Sequence, residues 1–121
     1  MQRLNCNKPT YFDVDDTLVM WSPSKEKLDE YGIDFEHTFE DGVNRKFRML
    51  PHREHIRQLI KHANRGHTII VWSAGGEPWA AAAVKALGIE EYVSYTLEKP
   101  TWAYDDKEPN EFFKTKFHED K

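Results

Sequence analysis

Short, predominantly apolar runs recur along the chain and predict buried β-strands. Three such runs are residues 11–14, 68–72 and 102–104. Runs of this length that lack a helical spacing of apolar residues suit strands inside a sheet. Residues 92–97 alternate between apolar and polar positions, which predicts a strand nearer the edge of the sheet.

Two helices are predicted from apolar residues spaced three and four positions apart. The first stripe lies between Pro51 and Gly66, and the second between Pro78 and Gly88. Proline near a helix start and glycine at its end are typical positions for these residues. A third helix is predicted over 109–118. The stripe residues are Ile56, Leu59, Ile60 and Ala63 in the first helix, and Ala80, Ala83, Val84 and Leu87 in the second.

Strands that alternate with helices from residue 51 onward predict an α/β domain with a mainly parallel central sheet. Residues 18–50 break this alternation. Here the sequence predicts a turn of helix over 25–31 and a β-hairpin around Asp41-Gly42. We therefore expect one domain over residues 1–121, with 18–50 as a small flap insertion.

Composition and charge exclude several classes of protein. The 121 residues include four Trp, five Tyr and seven Phe, which argues against a disordered chain. A net charge of -4 argues against a protein that coats DNA. The sequence has no apolar run of about 20 residues, so no membrane span is expected. The single cysteine and an N-terminus without the apolar core of a signal peptide favour a cytoplasmic location.

Acidic and basic residues are segregated in the first half of the chain. Residues 26–41 carry seven acids against one lysine, and residues 45–67 carry seven bases against one glutamate. One interpretation is that these are solvated faces that partly pair with each other. The other is that the basic stretch attracts a phosphorylated substrate, with Arg45, Arg48 and Arg53 reaching its second charged group.

Candidate chemistry begins with Asp13, Asp15 and Asp16, which follow the first predicted strand. Ligands of open α/β sheets bind outside the carboxyl ends of the strands. Carboxylates crowded there repel one another unless a cation neutralises them. Mg²⁺ is typically coordinated by one or two carboxylates, with water and phosphate oxygens as the other ligands. A plain acidic turn that caps the next helix is the alternative interpretation.

A second acidic pair, Asp105-Asp106, follows the predicted strand 102–104. If that strand is a parallel neighbour of the first, these carboxylates meet Asp13 at the same edge of the sheet. The alternative is an exposed turn with Lys107 as its partner.

Two further features suit a phosphate group. Ser73-Ala74-Gly75-Gly76 lies between a predicted strand and a helix, and a hydroxyl with backbone N–H groups at a helix start can hold an anion. Lys99 follows strand 92–97 and would place an ammonium on a phosphate. A plain turn and an ordinary surface lysine are the alternatives.

These residues together resemble the haloacid dehalogenase (HAD) superfamily of aspartate-nucleophile phosphohydrolases. The acidic first and fourth motifs are specific, whereas a lone serine and a lone lysine are not. Residues 98–107 are similar to the corresponding part of small members with minimal or no cap domain. The matches, in motif order, are Asp13-Val14-Asp15-Asp16-Thr17, Ser73, Lys99 and Asp105-Asp106.

The resemblance implies a Rossmann-like three-layer fold and a Mg²⁺-dependent phosphatase. Asp13 would be the nucleophile that forms an aspartyl-phosphate, and Asp15 the general acid and base. It implies that Mg²⁺ is held by Asp13, the backbone carbonyl of Asp15, and Asp105 or Asp106. The residues implied to hold the transferring phosphoryl group are Thr17, Ser73, Ala74, Gly75 and Lys99.

Position 16 departs from the superfamily pattern, because it is Asp where Gly is common. Only the flap over 18–50 is long enough to act as a cap, so the site is expected to be open. An open site suits a bulky substrate such as a phosphorylated nucleic-acid end, a phosphoprotein or a sugar phosphate, and a nucleotide is also considered. It also suits a small phosphorylated substrate if a partner subunit covers it. The oligomeric state stays open. Two other functions are considered, namely a catalytically silent HAD-like binding protein and a receiver-type phosphoacceptor domain.

Histidines and tryptophans receive mainly structural interpretations. His52, His55, His62 and His67 are expected to be surface residues, because no matched acid or cysteine spacing indicates zinc. The four tryptophans are expected in the core, although Trp21 and Trp79 lie near the predicted site loops.

Overall fold

The computed structural model describes residues 8–21, 23–111 and 113–115. Its helices are α1 (Lys25–Tyr31), α2 (Arg53–Asn64) and α3 (Glu77–Leu87). Its strands are β1 (Thr10–Asp13), β2 (Val19–Met20), β3 (Ile33–Thr38), β4 (Asn44–Pro51), β5 (Ile69–Ser73) and β6 (Tyr95–Glu98).

The central sheet is parallel and has the strand order β1-β5-β6. Asp13 lies opposite Trp72, and Ser73 lies opposite Glu98, so all three strands end at one edge of the sheet. The α/β fold with a mainly parallel sheet is therefore confirmed, and it is consistent with a Rossmann-like HAD fold. β6 lies at one side of the sheet, as its alternating pattern predicted.

Helices α2 and α3 pack on the same face of the sheet. Leu59 of α2 and Ala83 of α3 are buried in one core with Ile69 and Val71 of β5. Residues two apart on a strand point to the same face, so both helices must cover that face. Both predicted helices are confirmed, and Gly88 ends α3 with a φ of +72°, a conformation that glycine adopts readily.

Residues 18–50 form a separate antiparallel sheet with the order β2-β4-β3. The β3–β4 hairpin turns at Asp41-Gly42, where Oδ1 of Asp41 accepts a hydrogen bond from the N–H of Val43. Helix α1 precedes the hairpin, and the Ser24 side chain caps its first turn. The predicted hairpin and short helix are both confirmed. We call residues 18–50 the flap.

Aromatic side chains join the flap to α3. The indole rings of Trp21 and Trp79 lie 6.1 Å apart, and Trp79 meets Phe35 of β3 edge-on at 4.8 Å. Aromatic pairs at such separations add stability beyond their buried area. We call this group the aromatic cluster; its members are Trp21, Phe35, Phe39, Phe47 and Trp79.

The segment after β6 differs from the sequence predictions. Residues 102–104 form no strand, and Trp102 and Tyr104 are 81% and 99% exposed. The prediction of a buried strand, and of Trp102 in the core, was wrong because two aromatic residues that favour strands do not form one without a paired neighbour. Strand 92–97 begins three residues later than predicted, since Glu90–Tyr92 forms a 3₁₀ turn.

The third predicted helix, 109–118, does not form over its described residues. Pro109–Glu111 forms a short 3₁₀ turn, and residues 113–115 are not helical. Residues 112 and 116–118 lie outside the described part of the chain.

Candidate active site

The loop after β1 is compact and is anchored in the core. The carbonyl oxygen of Val14 accepts hydrogen bonds from the N–H groups of Thr17, Leu18 and Val19 at 3.0–3.2 Å. The side chains of Val14, Leu18 and Val19 are fully buried. This packing fixes the backbone on both sides of Asp15 and keeps its carboxylate at the carboxyl edge of the sheet.

Asp13 ends β1 and has two polar neighbours. Its Oδ1 lies 3.7 Å from Nζ of Lys99, and its Oδ2 accepts a hydrogen bond of 3.3 Å from the hydroxyl of Thr17. The Asp13 side chain is 30% exposed, so a ligand in solvent can reach it. The structure thus brings together three of the predicted residues from two distant parts of the chain.

The carboxylate of Asp15 contacts Ser73 and two members of the aromatic cluster. The Ser73 hydroxyl is 3.5 Å from Oδ2 of Asp15, at the limit of a hydrogen bond. Oδ1 of Asp15 accepts hydrogen bonds from the indole nitrogens of Trp21 at 2.8 Å and Trp79 at 3.3 Å. The sequence places both tryptophans near the predicted site loops, but its pattern indicates no hydrogen-bond partner for either.

Ser73 is fully buried and anchors the start of the turn that leads to α3. Its hydroxyl accepts a hydrogen bond of 2.9 Å from the N–H of Gly75, and its carbonyl accepts one of 2.8 Å from the N–H of Lys99. The second bond ties Lys99 to the end of β5. Gly75 and Ala74 are exposed at this edge, but the Gly75 amide is turned toward Ser73.

The start of α2 supports the same loop from the other side. Nδ1 of His55 lies 2.8 Å from the carbonyl oxygen of Thr17. Because a carbonyl only accepts, His55 donates and its Nδ1 carries the hydrogen. Nδ1 of His52 in turn accepts from the N–H of His55, which caps the helix.

His52, His55, His62 and His67 are all half-buried, so each is partly accessible to solvent. The three-residue spacing of His52 and His55 was the available signal for the cap, because a helix-capping side chain accepts from the backbone N–H two or three residues later.

The structure does not bring the second acidic pair to Asp13. Asp105 and Asp106 are exposed, and Oδ1 of Asp105 accepts a hydrogen bond of 3.0 Å from the N–H of Lys107. This is the exposed turn that the sequence left open as an alternative. Within the described residues, no three His, Cys, Asp or Glu side chains are grouped so that they could hold a metal ion.

Pairing between the acidic and basic segments is confirmed at two places in the flap. Arg45 pairs with Asp41 at 3.0 Å, and Arg48 pairs with Asp34 at 2.9 Å. These arginines are engaged with carboxylates of the flap itself, which weakens the interpretation that they reach the substrate.

The part of the chain that the structure describes contains no helix long and apolar enough to cross a membrane.

Comparison with known proteins supplies the family. The model of the NLI interacting factor-like phosphatases matches residues 11–115, a range that begins in β1 and includes every candidate site residue. No curated protein and no solved structure matched the chain significantly. The match covers most of the sequence, and the chain belongs to the NLI interacting factor-like phosphatases, a family of the HAD superfamily.

Proposed function

We propose that the protein is a Mg²⁺-dependent phosphomonoester hydrolase that acts through an aspartyl-phosphate on Asp13. The observation that carries this proposal is the contact of Asp13 with Lys99 at the edge where Asp15 also lies. A partly exposed carboxylate beside a fixed ammonium is suited to attack a phosphate whose oxygens that ammonium binds.

In the first step, a carboxylate oxygen of Asp13 forms a bond to phosphorus while the bond from phosphorus to the leaving oxygen breaks. The electron pair of the broken bond goes to the leaving oxygen, and protonated Asp15 supplies the proton that makes it an alcohol. Lys99 stabilises the negative charge on the phosphoryl oxygens, and the hydroxyl of Thr17 orients Asp13.

In the second step, water attacks phosphorus and the bond between Asp13 and phosphorus breaks. The carboxylate of Asp15 takes a proton from that water, so Asp15 returns to its starting state and inorganic phosphate leaves. The two carboxylates are two residues apart on one rigid loop, which allows one to attack while the other transfers the proton.

The donor set of the site fits Mg²⁺. Asp13 contributes one negative charge against the single positive charge of Lys99, and a bound phosphate adds negative charge that the lysine alone does not neutralise. Mg²⁺ needs only one or two carboxylates when water and phosphate oxygens complete its shell. Asp13 and the backbone carbonyl of Asp15 would hold it, and the ion supplies positive charge between the nucleophile and the phosphate.

Asp105 or Asp106 is proposed as a further ligand that arrives by movement of its segment. Lys99 anchors the start of that segment through its N–H bond to Ser73, while residues 101–111 are all exposed. Burial of Trp102 and Tyr104 would stabilise the moved segment by roughly 2 kcal/mol for each ring. Among the described residues, β1 has a strand neighbour, β5, on one side only, and the two rings can fold toward its other side.

The substrate class that we propose is a phosphate at an accessible position, such as a nucleotide, a nucleic-acid end or a sugar phosphate. Asp13 is partly exposed and the flap packs on α3 through the aromatic cluster, so the approach to Asp13 stays open to a bulky group.

Release of phosphate from p-nitrophenyl phosphate tests the proposal, measured with and without Mg²⁺. The variants are Asp13→Asn, and Asp16→Asn as a matched control in the same loop. We expect Mg²⁺-dependent turnover that Asp13→Asn abolishes and Asp16→Asn retains. A panel of nucleotides, 3′-phosphorylated oligonucleotides and sugar phosphates then ranks the substrates. A Michaelis constant that rises steeply with salt would select the polyanionic ones.

Two outcomes would overturn the proposal. Folded protein that turns over none of these compounds would favour a catalytically silent binding protein. A phosphorylated form that persists without turnover would favour a receiver-type phosphoacceptor.

A further inference from the structure

Two indole N–H groups converge on one oxygen of Asp15. The Nε1 atoms of Trp21 and Trp79 lie 2.8 Å and 3.3 Å from Oδ1, and all three side chains are part-buried. The tryptophan side chain has one N–H donor and no acceptor, so the indole is the donor in each hydrogen bond. The carboxylate oxygen is the acceptor in both.

This arrangement distinguishes the two oxygens of Asp15. A carboxylate oxygen has two lone-pair directions, and both at Oδ1 are used when two donors are present. A proton on Oδ1 would need one of those directions and would break an indole hydrogen bond. Oδ2 faces the Ser73 hydroxyl at the longer distance of 3.5 Å, and a hydroxyl can rotate to accept as well as donate.

The two tryptophans come from separate parts of the fold. Trp21 follows β2 at the start of the flap, and Trp79 lies in the first turn of α3. Phe47 of β4 packs edge-on against both rings, at 5.8 Å and 5.6 Å. The hairpin therefore fixes the two donors, and through them the orientation of the carboxyl plane.

We propose that Trp21 and Trp79 are positioning residues that occupy Oδ1 of Asp15 and assign proton transfer to Oδ2. This inference rests on the proposed function. In the first step the proton on Oδ2 moves to the leaving oxygen as the phosphorus–oxygen bond breaks. In the second step Oδ2 takes the proton of the attacking water. Oδ1 keeps both indole hydrogen bonds throughout.

The dependence of kcat/KM on the leaving group tests the inference, because kcat/KM covers the formation of the aspartyl-phosphate and excludes the second step that all substrates share. Trp21→Phe and Trp79→Phe keep an aromatic ring and remove the N–H. Trp72→Phe is the matched control, because its ring packs on Tyr11 at the other face of the sheet. p-Nitrophenolate leaves without help from an acid, whereas the alkoxide of glycerol 2-phosphate needs a proton.

We expect each site variant to lower kcat/KM for glycerol 2-phosphate about 10- to 100-fold, a part of the usual effect of general acid catalysis. The kcat/KM for p-nitrophenyl phosphate should change less than about threefold, because its leaving group needs little protonation. Equal losses on both substrates would assign the tryptophans a purely structural role and overturn the inference. No loss on either would also overturn it.

A spectroscopic measurement keeps the inference testable if a tryptophan variant does not fold. The four tryptophans give four indole N–H resonances. Asp15→Asn should move those of Trp21 and Trp79 and leave that of Trp72 in place. Unmoved resonances would contradict the contact. If wild-type protein has no phosphatase activity but these two resonances move, the proposed function fails and the contact stands.

Discussion

The ammonium nitrogen of Lys99 lies 3.7 Å from Oδ1 of Asp13, although the two residues follow strands at opposite sides of the central sheet. The N–H of Lys99 is bonded to the carbonyl of Ser73, so the end of β5 holds the backbone of Lys99 between the two strands. From there the side chain reaches the nucleophile.

Replacement of Lys99 should therefore mainly lower the rate of the chemical step. We expect Lys99→Met to lower kcat/KM about 100- to 1000-fold, the usual effect of removing one group that stabilises transition-state charge. Lys99→Arg should recover part of the loss, because the guanidinium keeps the charge but not the shape. Steady-state kinetics on p-nitrophenyl phosphate measures both. Loss below about threefold in Lys99→Met would contradict the role of the ammonium.

Asp16 has a φ of +61°, a left-handed conformation that favours glycine. Its Oδ1 accepts a long hydrogen bond of 3.4 Å from the N–H of Trp21, which offsets part of the strain. We expect Asp16→Gly to be neutral or to stabilise the fold by up to about 1 kcal/mol, and Asp16→Val to destabilise it by about 1–2 kcal/mol. Urea unfolding gives both values. A valine variant as stable as wild type would show that residue 16 adopts another conformation.

His62 and His67 meet through their Nδ1 atoms at 2.9 Å near the end of α2. Burial, followed by the charges of His67, Arg65 and Lys61, holds the pKa of His62 below its usual 6.5. The unfolded chain then binds the proton more readily, so stability is complete above pH 6.5 and falls as the pH drops toward the folded-state pKa.

Thermal unfolding at about pH 7.5 and about pH 5.5 should show this loss for wild-type protein, because the window spans the ordinary histidine pKa. His62→Asn should lose less over the same range. Identical losses in the two proteins would assign the pH dependence to other groups.

Trp102 is the reporter for the proposed arrival of Asp105 or Asp106 at the metal. Its side chain is 81% exposed, so acrylamide should quench its fluorescence strongly. We expect Mg²⁺ with inorganic phosphate to reduce that quenching, and the difference from Trp102→Phe isolates the signal of this residue. Quenching that does not change at Mg²⁺ concentrations that saturate activity would contradict the movement of the segment.

The parts of the fold that could be predicted from sequence are those where local pattern and tertiary packing agree. α2 and α3 have an apolar stripe, a start signal and a stop signal, and both occur as predicted. Residues 102–104 have strand propensity alone. A strand also needs a paired neighbour, and no local pattern shows whether one is available.

The candidate site shows the same division. Asp13, Asp15, Ser73 and Lys99 were each predicted at or after the end of a strand, and they lie at the carboxyl edge of the central sheet. Asp105 and Asp106 were predicted to meet Asp13 at that edge, but they lie in an exposed turn because residues 102–104 form no strand. The indole contacts of Asp15 depend on how the flap packs against α3. That packing joins residues far apart in the chain, so neither the spacing nor the residue type of Trp21 predicted the bond.

The proposed function depends above all on the covalent phosphorylation of Asp13 during turnover. Asp15→Asn should accept the phosphoryl group from p-nitrophenyl phosphate, whose leaving group needs no acid, and then stall for lack of a base. We expect a burst of about one p-nitrophenol per protein molecule. After an acid quench, mass spectrometry should find the phosphoryl group on the peptide that contains Asp13. Wild-type turnover without any phosphorylated carboxylate in this variant would contradict the account.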